Sequence, residues 1–383
     1  MSFPVADRVW AEIDLDALAN NLRWIRHGIG PRVGVITVVK ADAYGHGLKS
    51  IAAHLMRHGT DILGVANLGE AAAVRAVGKG WPILMLGACS HEAEFAELCR
   101  EGICATVGCR GEIEELARVS RRLGCVTSVH LKIDTGMGRL GAPVGFAVGL
   151  ARSIVATPAL TLDGVYSHLS SSEDDAAFTR GQLEAFDRVV DGLRKAGVCP
   201  RRVHVMNSGE QIYEERVRGN QVRPGLLVYG VVPEGRRPLQ VSWVKRLRPV
   251  FQLKTRVTFV KTVAADSPIS YGQREVTARR TVLATVGAGY GDGIPRSASR
   301  LMEVLIRGRR CRVRGVVTMD QTVVDVTEVG GVGRGDEVVV IGEQDGATIS
   351  ASELAGWGGT IPWEILTSVT HRVPRRYHGI RVG

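Results

Sequence analysis

The sequence has no long hydrophobic run, which argues against a membrane-spanning protein. None of its apolar stretches approaches the roughly 20 residues that a transmembrane helix needs. Residues 1–14 also lack the apolar core of a signal peptide, because Pro4, Asp7, Arg8 and Glu12 interrupt them. We therefore expect a cytoplasmic protein with no membrane partner.

The cysteines lack any metal-binding or disulfide signature. There are seven of them, an odd number, and no two are spaced as CxxC. Cys99, Cys104 and Cys109 recur at a regular interval that matches neither zinc nor iron–sulfur spacing. We therefore predict free thiols in a reducing compartment and no metal site.

Interleaved aromatic residues are missing from the basic clusters behind the net charge of +10. The main clusters span residues 307–314 and 372–376. Nucleic-acid sites typically alternate cations with aromatic rings that stack on bases, and neither cluster does so. The first alternates arginine with cysteine and valine, as a half-exposed strand does. We predict no nucleic-acid partner and attribute the charge to solvated faces or to attraction for anionic ligands.

What the sequence does contain is a long alternation of short apolar segments with helical ones. At 383 residues the chain is too long for one ordinary core. Eight strand-then-helix units in about 190 residues predict an α/β fold, a (β/α)8 TIM-type barrel, with a doubly wound sheet as the alternative. The predicted strands are 33–39, 62–66, 82–86, 103–106, 126–133, 160–166, 201–205 and 219–222.

Strand-like runs dominate after Tyr229 and predict a C-terminal β-rich domain. They cover 251–263, 281–286, 302–306, 311–317, 323–326 and 337–341. We therefore predict a barrel domain at residues 1–242 and a β domain at residues 243–383, with the first residues able to pair with the second domain.

Lys40 stands at the end of the first predicted strand, directly after the run Val35–Val39. Burial at this position lowers the pKa of a lysine and makes its neutral amine available. Such an amine forms a Schiff base with a carbonyl substrate or with pyridoxal phosphate (PLP). The alternative for an isolated lysine is a side chain that extends to solvent, so the other strand ends must decide.

The other strand ends supply groups that suit PLP, because barrel chemistry lies at the carboxyl ends of the strands. Phosphate sites favour the loops after the last two strands, where Ser208 and the backbone of Gly225 and Leu226 are available. His168 follows the sixth strand and could lie against a cofactor ring. Together with Lys40 these residues predict a PLP site.

Arg223 ends the eighth predicted strand and restricts the chemistry. Many PLP enzymes place a carboxylate at the pyridine nitrogen, which keeps that nitrogen protonated. An arginine donates hydrogen bonds and keeps its proton. If Arg223 faces the pyridine nitrogen, proton transfer at the substrate Cα is favoured over transamination. The alternative is an ordinary surface cation before a turn.

These features resemble the alanine racemases, which combine an N-terminal PLP barrel with a C-terminal β domain. The resemblance extends through nearly the whole chain. The motifs that carry it are Glu12–Leu18, Val39–Gly47, Lys132–Arg139, Arg223-Pro224-Gly225, Ser270-Tyr271-Gly272, Gly289–Gly293, Met319-Asp320-Gln321 and Arg372–Arg375.

The resemblance implies a role for several residues of the barrel domain. Lys40 would bond to the aldehyde carbon of PLP, and Tyr44 and Ser208 would hold the phosphate. Asn207 precedes Ser208 in the same loop and is assigned to cofactor binding with it. His168 would stack on the ring, and Arg223 would face the ring nitrogen.

Further roles concern the substrate. Arg139 would orient the phenolic oxygen of the cofactor and the substrate carboxylate. Lys132 matches a lysine that is carbamylated in many family members and that holds this arginine in place. Met319 would offer a backbone amide to the carboxylate, and Tyr290 would line the entrance. The glycines around Tyr290 lack GxGxxG spacing, so we reject a nucleotide-binding loop.

Racemisation needs one base on each face of Cα, since a single base returns the proton to the side it came from. By resemblance, Lys40 serves one face and Tyr271, supplied by the partner subunit, serves the other. The resemblance therefore implies a homodimer with shared active sites, an amino-acid substrate, and D-alanine supply for peptidoglycan.

Trp363 departs from the family, which mostly has a tyrosine there that contacts the phosphate and narrows the entryway. Tryptophan has an N–H donor but no hydroxyl and is bulkier. A serine or broad-specificity racemase is therefore an alternative. A decarboxylase is disfavoured by Arg223, and a non-catalytic PLP carrier by the β domain that bears Tyr271.

Overall fold

The computed structural model describes residues 7–379. The interpretation of residues 1–14 as lacking a signal peptide therefore falls partly outside the described residues. The chain forms two compact units, which we treat separately. The barrel unit comprises Leu18–Ala43 and Leu48–Leu247, and the β unit comprises the described residues of Met1–Ala17, Tyr44–Gly47 and Arg248–Gly383.

The barrel unit contains eight parallel strands in a ring. In chain order they are Gly34–Val38, Ile62–Val65, Ile83–Met85, Ala105–Val107, Thr127–Asp134, Leu160–Tyr166, Arg202–His204 and Gln221–Val222. The last strand pairs with the first, and a bridge between Leu84 and Cys104 joins the third strand to the fourth. The TIM-type barrel is therefore confirmed, and the doubly wound alternative is wrong because the sheet closes.

Helices cover the barrel strands. They are Leu15–Ile29, Leu48–Arg57, Leu68–Arg75, Glu92–Glu101, Arg110–Leu123, Ala147–Val155, Ala176–Lys195 and Glu210–Tyr213. The long helix Ala176–Lys195 begins where the Asp175 carboxylate accepts a hydrogen bond from the backbone of Phe178. Its buried residues, including Leu183, Phe186 and Leu193, recur at helical spacing and form the face that packs inward.

The eighth strand is shorter than the sequence predicts. Gly219 has a φ of +84°, which is outside the strand region. The side-chain oxygen of Asn220 accepts the backbone hydrogen bond of Val203 at 2.8 Å, so a side chain replaces the strand ladder there. Regular pairing therefore begins only at Gln221.

The β unit is built on a nine-stranded sheet. In spatial order its strands are Ala347–Ile349, Glu337–Gln344, Glu303–Ile306, Arg309–Arg314, Thr322–Asp325, Thr281–Val286, Phe251–Val263, Val9–Asp14 and Arg375–His378. The 13-residue strand Phe251–Val263 also pairs with Glu337–Gln344, so the six strands from one to the other close on themselves. The predicted β-rich domain is confirmed, and the sequence missed its helices Ala351–Gly358 and Pro362–Ser368.

Two features of the ends of the units bear on the predicted domains. Val9–Asp14 pairs with Phe251–Val263 and Arg375–His378, so the first described strand belongs to the β unit. The turn Trp243–Arg246 belongs to the barrel unit, where the Trp243 ring occupies the space that a Cβ on Gly28 would need. Among residues 7–379, no helix combines the length and the apolar character that a membrane crossing requires.

Candidate active site

Lys40 follows the first barrel strand and begins an unusual turn. Ala41–Ala43 all have φ near +53°, a left-handed conformation that costs roughly 1–2 kcal/mol for each non-glycine residue. Local hydrogen bonds hold the turn: Glu70 accepts from the backbone of Ala41 at 2.7 Å, and Asp42 accepts from Leu48 at 2.7 Å. The strained backbone fixes the direction in which the lysine leaves the strand.

The surroundings of Lys40 lower the pKa of its ammonium group. Burial lowers the pKa of the Lys40 ammonium, and the positive charges of Arg139 and Arg223 lower it further. The Glu70 carboxylate acts in the opposite direction but does not reverse the result. The lysine therefore loses its proton more readily than an exposed lysine, which is what a nucleophilic amine requires.

Lys132 lies on the fifth barrel strand and is almost fully buried, with 5% of its surface exposed. Burial lowers its pKa from 10.5 to about 8, and the charges of Arg223 and Arg139 add to the effect. Its Nζ lies 5.4 Å from the centre of the Tyr166 ring. A buried lysine of this kind remains mostly protonated at pH 7 but has a larger neutral fraction than an exposed lysine, so it reacts more readily.

Arg139 stands at the end of the loop that follows the same strand. The Asp134 carboxylate organises this loop, because it accepts hydrogen bonds from the backbone N–H groups of Gly136, Met137 and Gly138 at 2.9, 2.8 and 3.1 Å. Arg139 itself is exposed. It is therefore presented by an ordered loop with its guanidinium available for a ligand.

Arg223 is buried at 4% exposure. Its Nη1 donates to His204 Nδ1 at 2.7 Å, and its Nη2 donates to the carbonyl of Ser167 at 2.6 Å. Nη2 is also 3.3 Å from His168 Nδ1. Burial lowers the pKa of Arg223 to about 10. In the described chain no carboxylate forms an ion pair with it, so its fixed charge is uncompensated.

His168 lies beside this arginine at the end of the sixth strand. Burial and the charges of Arg223 and Lys132 hold the pKa of the imidazole well below its usual range. The ring is therefore neutral, as a group that stacks on a cofactor ring can be.

The loops after the seventh and eighth strands form a backbone cradle. Ser208 is buried, and its Oγ accepts a hydrogen bond from the backbone N–H of Gly225 at 2.9 Å. Leu226 follows in the same turn and is also buried. The Asn207 side-chain oxygen accepts from Ser172 and from the backbone of Glu210, so it orders the loop from within.

The remaining predicted residues lie in the β unit. Tyr44 is buried, which raises the pKa of its phenol, so the group stays protonated. Tyr271 is 73% exposed and follows Ser270, whose φ of +61° sets a sharp turn. Met319 and Tyr290 are also exposed, and Trp363 is half-buried at the start of the helix Pro362–Ser368.

Asp292 supports the segment that presents Tyr290. Its carboxylate is 1% exposed and accepts hydrogen bonds from Arg8 and Arg372, each at 2.8 Å, and from the backbone of Gly289 at 2.9 Å. A buried carboxylate with three donors fixes this turn firmly.

Sequence reasoning missed the side chains that fill the barrel behind the site. Tyr166 stacks on His204 with ring centres 4.7 Å apart, and its hydroxyl is 2.8 Å from Thr106 Oγ1. A signal was present, because His130 and Lys132 are two residues apart on one strand and therefore share its inward face.

The charges of the barrel site indicate which kind of ligand it can hold. Four cations, Lys40, Lys132, Arg139 and Arg223, perturb one another's environment, and among residues 7–379 none of them forms an ion pair. Such a site calls for anions, and a phosphate together with a carboxylate supplies them. The Ser208 hydroxyl can donate to a phosphate while its oxygen accepts from the Gly225 N–H, so this group fits the cofactor.

Comparisons with known proteins agree with this geometry. The family model for the alanine racemase N-terminal domain matches residues 13–233, and the model for the C-terminal domain matches residues 250–377. The alanine racemase of Symbiobacterium thermophilum is 41% identical over 372 residues, which cover 97% of each chain.

Solved structures agree as well. Alanine racemase from D-cycloserine-producing Streptomyces lavendulae superimposes with a TM-score of 0.90 and 35% identity, over 98% of each chain. The Bartonella henselae alanine racemase with covalently bound pyridoxal phosphate has a TM-score of 0.87 and 29% identity, over 97% of this chain and 100% of that one. The resemblance seen in the motifs is thus confirmed, and the chain belongs to the alanine racemase family, a class of isomerases.

Proposed function

We propose that this enzyme interconverts L-alanine and D-alanine with PLP, and that Lys40 and Tyr271 act on opposite faces of Cα. Family membership supports alanine interconversion. The observation that carries the residue assignment is Lys40, a lysine of lowered pKa at a strand end, in a cluster of cations that includes Arg223.

The cofactor assignment rests on the fit of the barrel residues. Lys40 is the attachment point for the aldehyde carbon, and Ser208, the backbone of Gly225 and Leu226, and Tyr44 are assigned to the phosphate. Asn207 and Trp363 are assigned to the same region, and His168 to the ring. When bound, PLP withdraws electrons from the substrate Cα and so acidifies its hydrogen.

Arg223 is assigned to the pyridine nitrogen. Its guanidinium donates only, and no carboxylate pairs with it in the described part of the chain. With only donors facing it, that nitrogen would stay unprotonated, which would limit charge delocalisation and favour return of the proton to Cα. An arginine rather than a carboxylate at this position therefore favours racemisation over transamination.

The chain's own groups then move the proton. Arg139 and the backbone N–H of Met319 hold the substrate carboxylate, and Tyr290 lines the entrance. Lys40 Nζ takes or delivers the proton on one face of Cα, and Tyr271 Oη does so on the other. Lys132, as a carbamate, would present oxygen acceptors that hold the guanidinium of Arg139.

The exposure of Tyr271 supports a homodimer with shared active sites. A catalytic phenol that is 73% exposed in one chain needs a second surface to exclude water from it. We propose that residues 243–383 form the domain that supplies the partner subunit's Tyr271 to the barrel of residues 1–242. The physiological role proposed is cytoplasmic supply of D-alanine for peptidoglycan.

The direct test is conversion of L-alanine by purified enzyme reconstituted with PLP. We expect D-alanine to form and the Cα hydrogen to exchange with deuterium from the solvent. Absence of both, with PLP bound, would contradict the proposed function. Trp363 motivates the alternative of a serine or broad-specificity racemase, which predicts that serine or lysine turns over at least as fast as alanine.

The two-base assignment has its own test in Tyr271→Phe. We expect racemisation to fall and the primary deuterium isotope effect to become unequal in the two directions, because only one face loses its proton carrier. Tyr213→Phe is a matched control, since that hydroxyl bonds the carbonyl of Pro233 outside the proposed site. Unchanged rates in both directions would remove Tyr271 from the mechanism.

A further inference from the structure

A chain of hydrogen bonds leads from Arg223 into the barrel interior. Arg223 Nη1 is 2.7 Å from His204 Nδ1, and His204 Nε2 is 2.9 Å from His130 Nδ1. His130 Nε2 is in turn 3.2 Å from Asp163 Oδ2, and Asp163 is paired with Arg202. We call the series Arg223–His204–His130–Asp163 the relay.

The two ends of the relay determine the direction of every hydrogen bond. Arginine can only donate and a carboxylate can only accept. His204 therefore accepts at Nδ1 and donates from Nε2 to His130. His130 in turn accepts at Nδ1 and donates from Nε2 to Asp163. Both imidazoles are thus the neutral Nε2–H tautomer.

The titration behaviour of the members agrees with this arrangement. Burial lowers the pKa of both histidines, so they are neutral at pH 7. Burial raises the pKa of Asp163, but the hydrogen bond from His130 and the charge of Arg202 outweigh it and lower the pKa overall. The relay therefore ends in a carboxylate rather than in a carboxylic acid.

The backbone is shaped to admit the relay. Strand pairing shifts by one residue here: Val129 pairs with Leu162, and His130 pairs with Gly164, which leaves Asp163 as the extra residue of a β-bulge. Bulges redirect side chains at functional sites. A Cβ on Gly164 would lie only 2.7 Å from ring atoms of His130, so the ring fits there because residue 164 is glycine.

A metal site is the competing interpretation of the same cluster. Cys104, His130 and Asp163 offer ligand atoms within 4.8 Å of one another. However, Arg202 already pairs with the carboxylate, and both nitrogens of His130 take part in the relay. A cation would displace those partners, so the geometry favours the hydrogen-bonded relay.

We propose that Asp163 is a positioning residue of this racemase: through His130 and His204 it fixes the tautomer that holds the guanidinium of Arg223 in place. The proposal rests on the proposed function, because it is there that Arg223 faces the cofactor nitrogen. Outer hydrogen-bond partners set tautomer and orientation in this way at other functional sites.

Loss of the carboxylate has a defined consequence. His130 could then carry its hydrogen on Nδ1, which forces His204 to carry its own on Nδ1 as well. That N–H would point at Nη1 of Arg223, a donor against a donor. Arg223 would leave its position, the pyridine nitrogen would gain a proton more easily, and the amino group of alanine would pass to the cofactor more often, releasing pyruvate.

The test compares reconstituted holoenzymes of Asp163→Asn, Gly164→Ala and the control Asp187→Asn. Asp187 also pairs with an arginine of the barrel unit, Arg218, but lies outside the relay. For both relay variants we expect kcat to fall on the order of 10- to 100-fold, KM for alanine to stay within about twofold, and pyruvate per racemisation to rise about 10-fold or more. The control should match the wild type.

A second readout is independent of the cofactor. In the full-length chain labelled with ¹⁵N-histidine, ring-nitrogen chemical shifts should report Nε2–H for both His130 and His204, and Asp163→Asn should disturb both. An Nδ1–H tautomer in the wild type, or a folded Asp163→Asn enzyme with an unchanged pyruvate ratio, would overturn the proposal. A wild type that binds no PLP refutes the proposed function instead and leaves the tautomer test intact.

Discussion

Replacement of Lys132 by methionine is expected to stabilise the cofactor-free chain while it weakens racemisation. Lys132 is 5% exposed, and burial is the main cause that lowers its pKa from 10.5 to about 8. The gap between those two values corresponds to about 3 kcal/mol, at about 1.36 kcal/mol for each pH unit. Methionine fills similar space without a charge, so the variant avoids this cost.

The pH dependence gives the prediction its sign. Below pH 8 the folded and unfolded chains both bind the proton, and the full cost of the buried charge is present. Between about 8 and 10.5 the unfolded chain binds more protons, so the stability of the wild type rises with pH. The advantage of Lys132→Met should therefore be about 3 kcal/mol at pH 7 and small at pH 10.5.

Urea unfolding in CO2-free buffer at pH 7 and pH 10 measures this difference. Lys245→Met, at an exposed lysine of the same unit, is the control and should change little. A variant that is no more stable than the wild type at pH 7, or whose advantage is independent of pH, would refute the reasoning.

Bicarbonate adds a test of carbamylation. At pH 7 about 10% of a lysine with this pKa is neutral, against about 0.03% at the ordinary value, roughly a 300-fold difference. Reaction with CO2 converts the buried Lys132 ammonium into a carbamate anion, which is attracted by the neighbouring charges of Arg223 and Arg139. Bicarbonate should therefore stabilise the wild type and leave Lys132→Met unaffected; equal responses would exclude the carbamate.

Three further changes probe other parts of the molecule. Ser208→Ala leaves the buried N–H of Gly225 without its acceptor, so urea unfolding should show a loss of about 1–3 kcal/mol in stability. Fluorescence titration should show weaker PLP binding, whereas the control Ser153→Ala should leave PLP binding unchanged. Asp292→Asn removes the negative charge that pairs with Arg8 and Arg372, and we expect urea unfolding to show about 3 kcal/mol less stability. An unchanged unfolding midpoint would contradict this. Trp363→Tyr adds a hydroxyl, so equilibrium dialysis should show PLP binding about 3- to 10-fold tighter, and serine turnover should fall relative to alanine turnover. If neither changes, Trp363 determines neither PLP binding nor substrate preference.

The strands of both units could largely be predicted from the sequence because their apolar pattern is periodic. Runs such as Leu160–Tyr166 and Phe251–Val263 have the bounds that the apolar pattern predicts. The strand Gln221–Val222 was predicted too long because the Asn220 side chain replaces a backbone partner, which no periodicity reports. The helix Ala351–Gly358 was missed because three of its eight positions are buried and two are glycine, so it lacks a clear amphipathic stripe.

Some residues of the candidate site could likewise be predicted from the sequence, and others could not. Lys40 and Arg223 come just after barrel strands, and Arg139 lies in the loop after another strand, so position in the fold alone suggests function. His130, Asp163 and Gly164 lie inside strands, and their relation depends on a one-residue bulge. A bulge shifts the inward and outward faces by one residue, so a sequence pattern with period two cannot place them.

The electrostatics of the barrel unit link these observations. The buried Arg223 and the neutral His168 are electrostatic neighbours of Lys40. The carboxylate Asp163 is kept three hydrogen bonds away from the guanidinium of Arg223. A carboxylate in direct contact with Arg223 would cancel the positive charge that anionic ligands require. Transmission through two neutral imidazoles instead fixes the arginine and leaves its charge facing the site. On this reasoning the distance of Asp163 from the site is itself functional, and a carboxylate moved closer, as in His204→Asp, should bind PLP less tightly than the wild type even where the fold is retained.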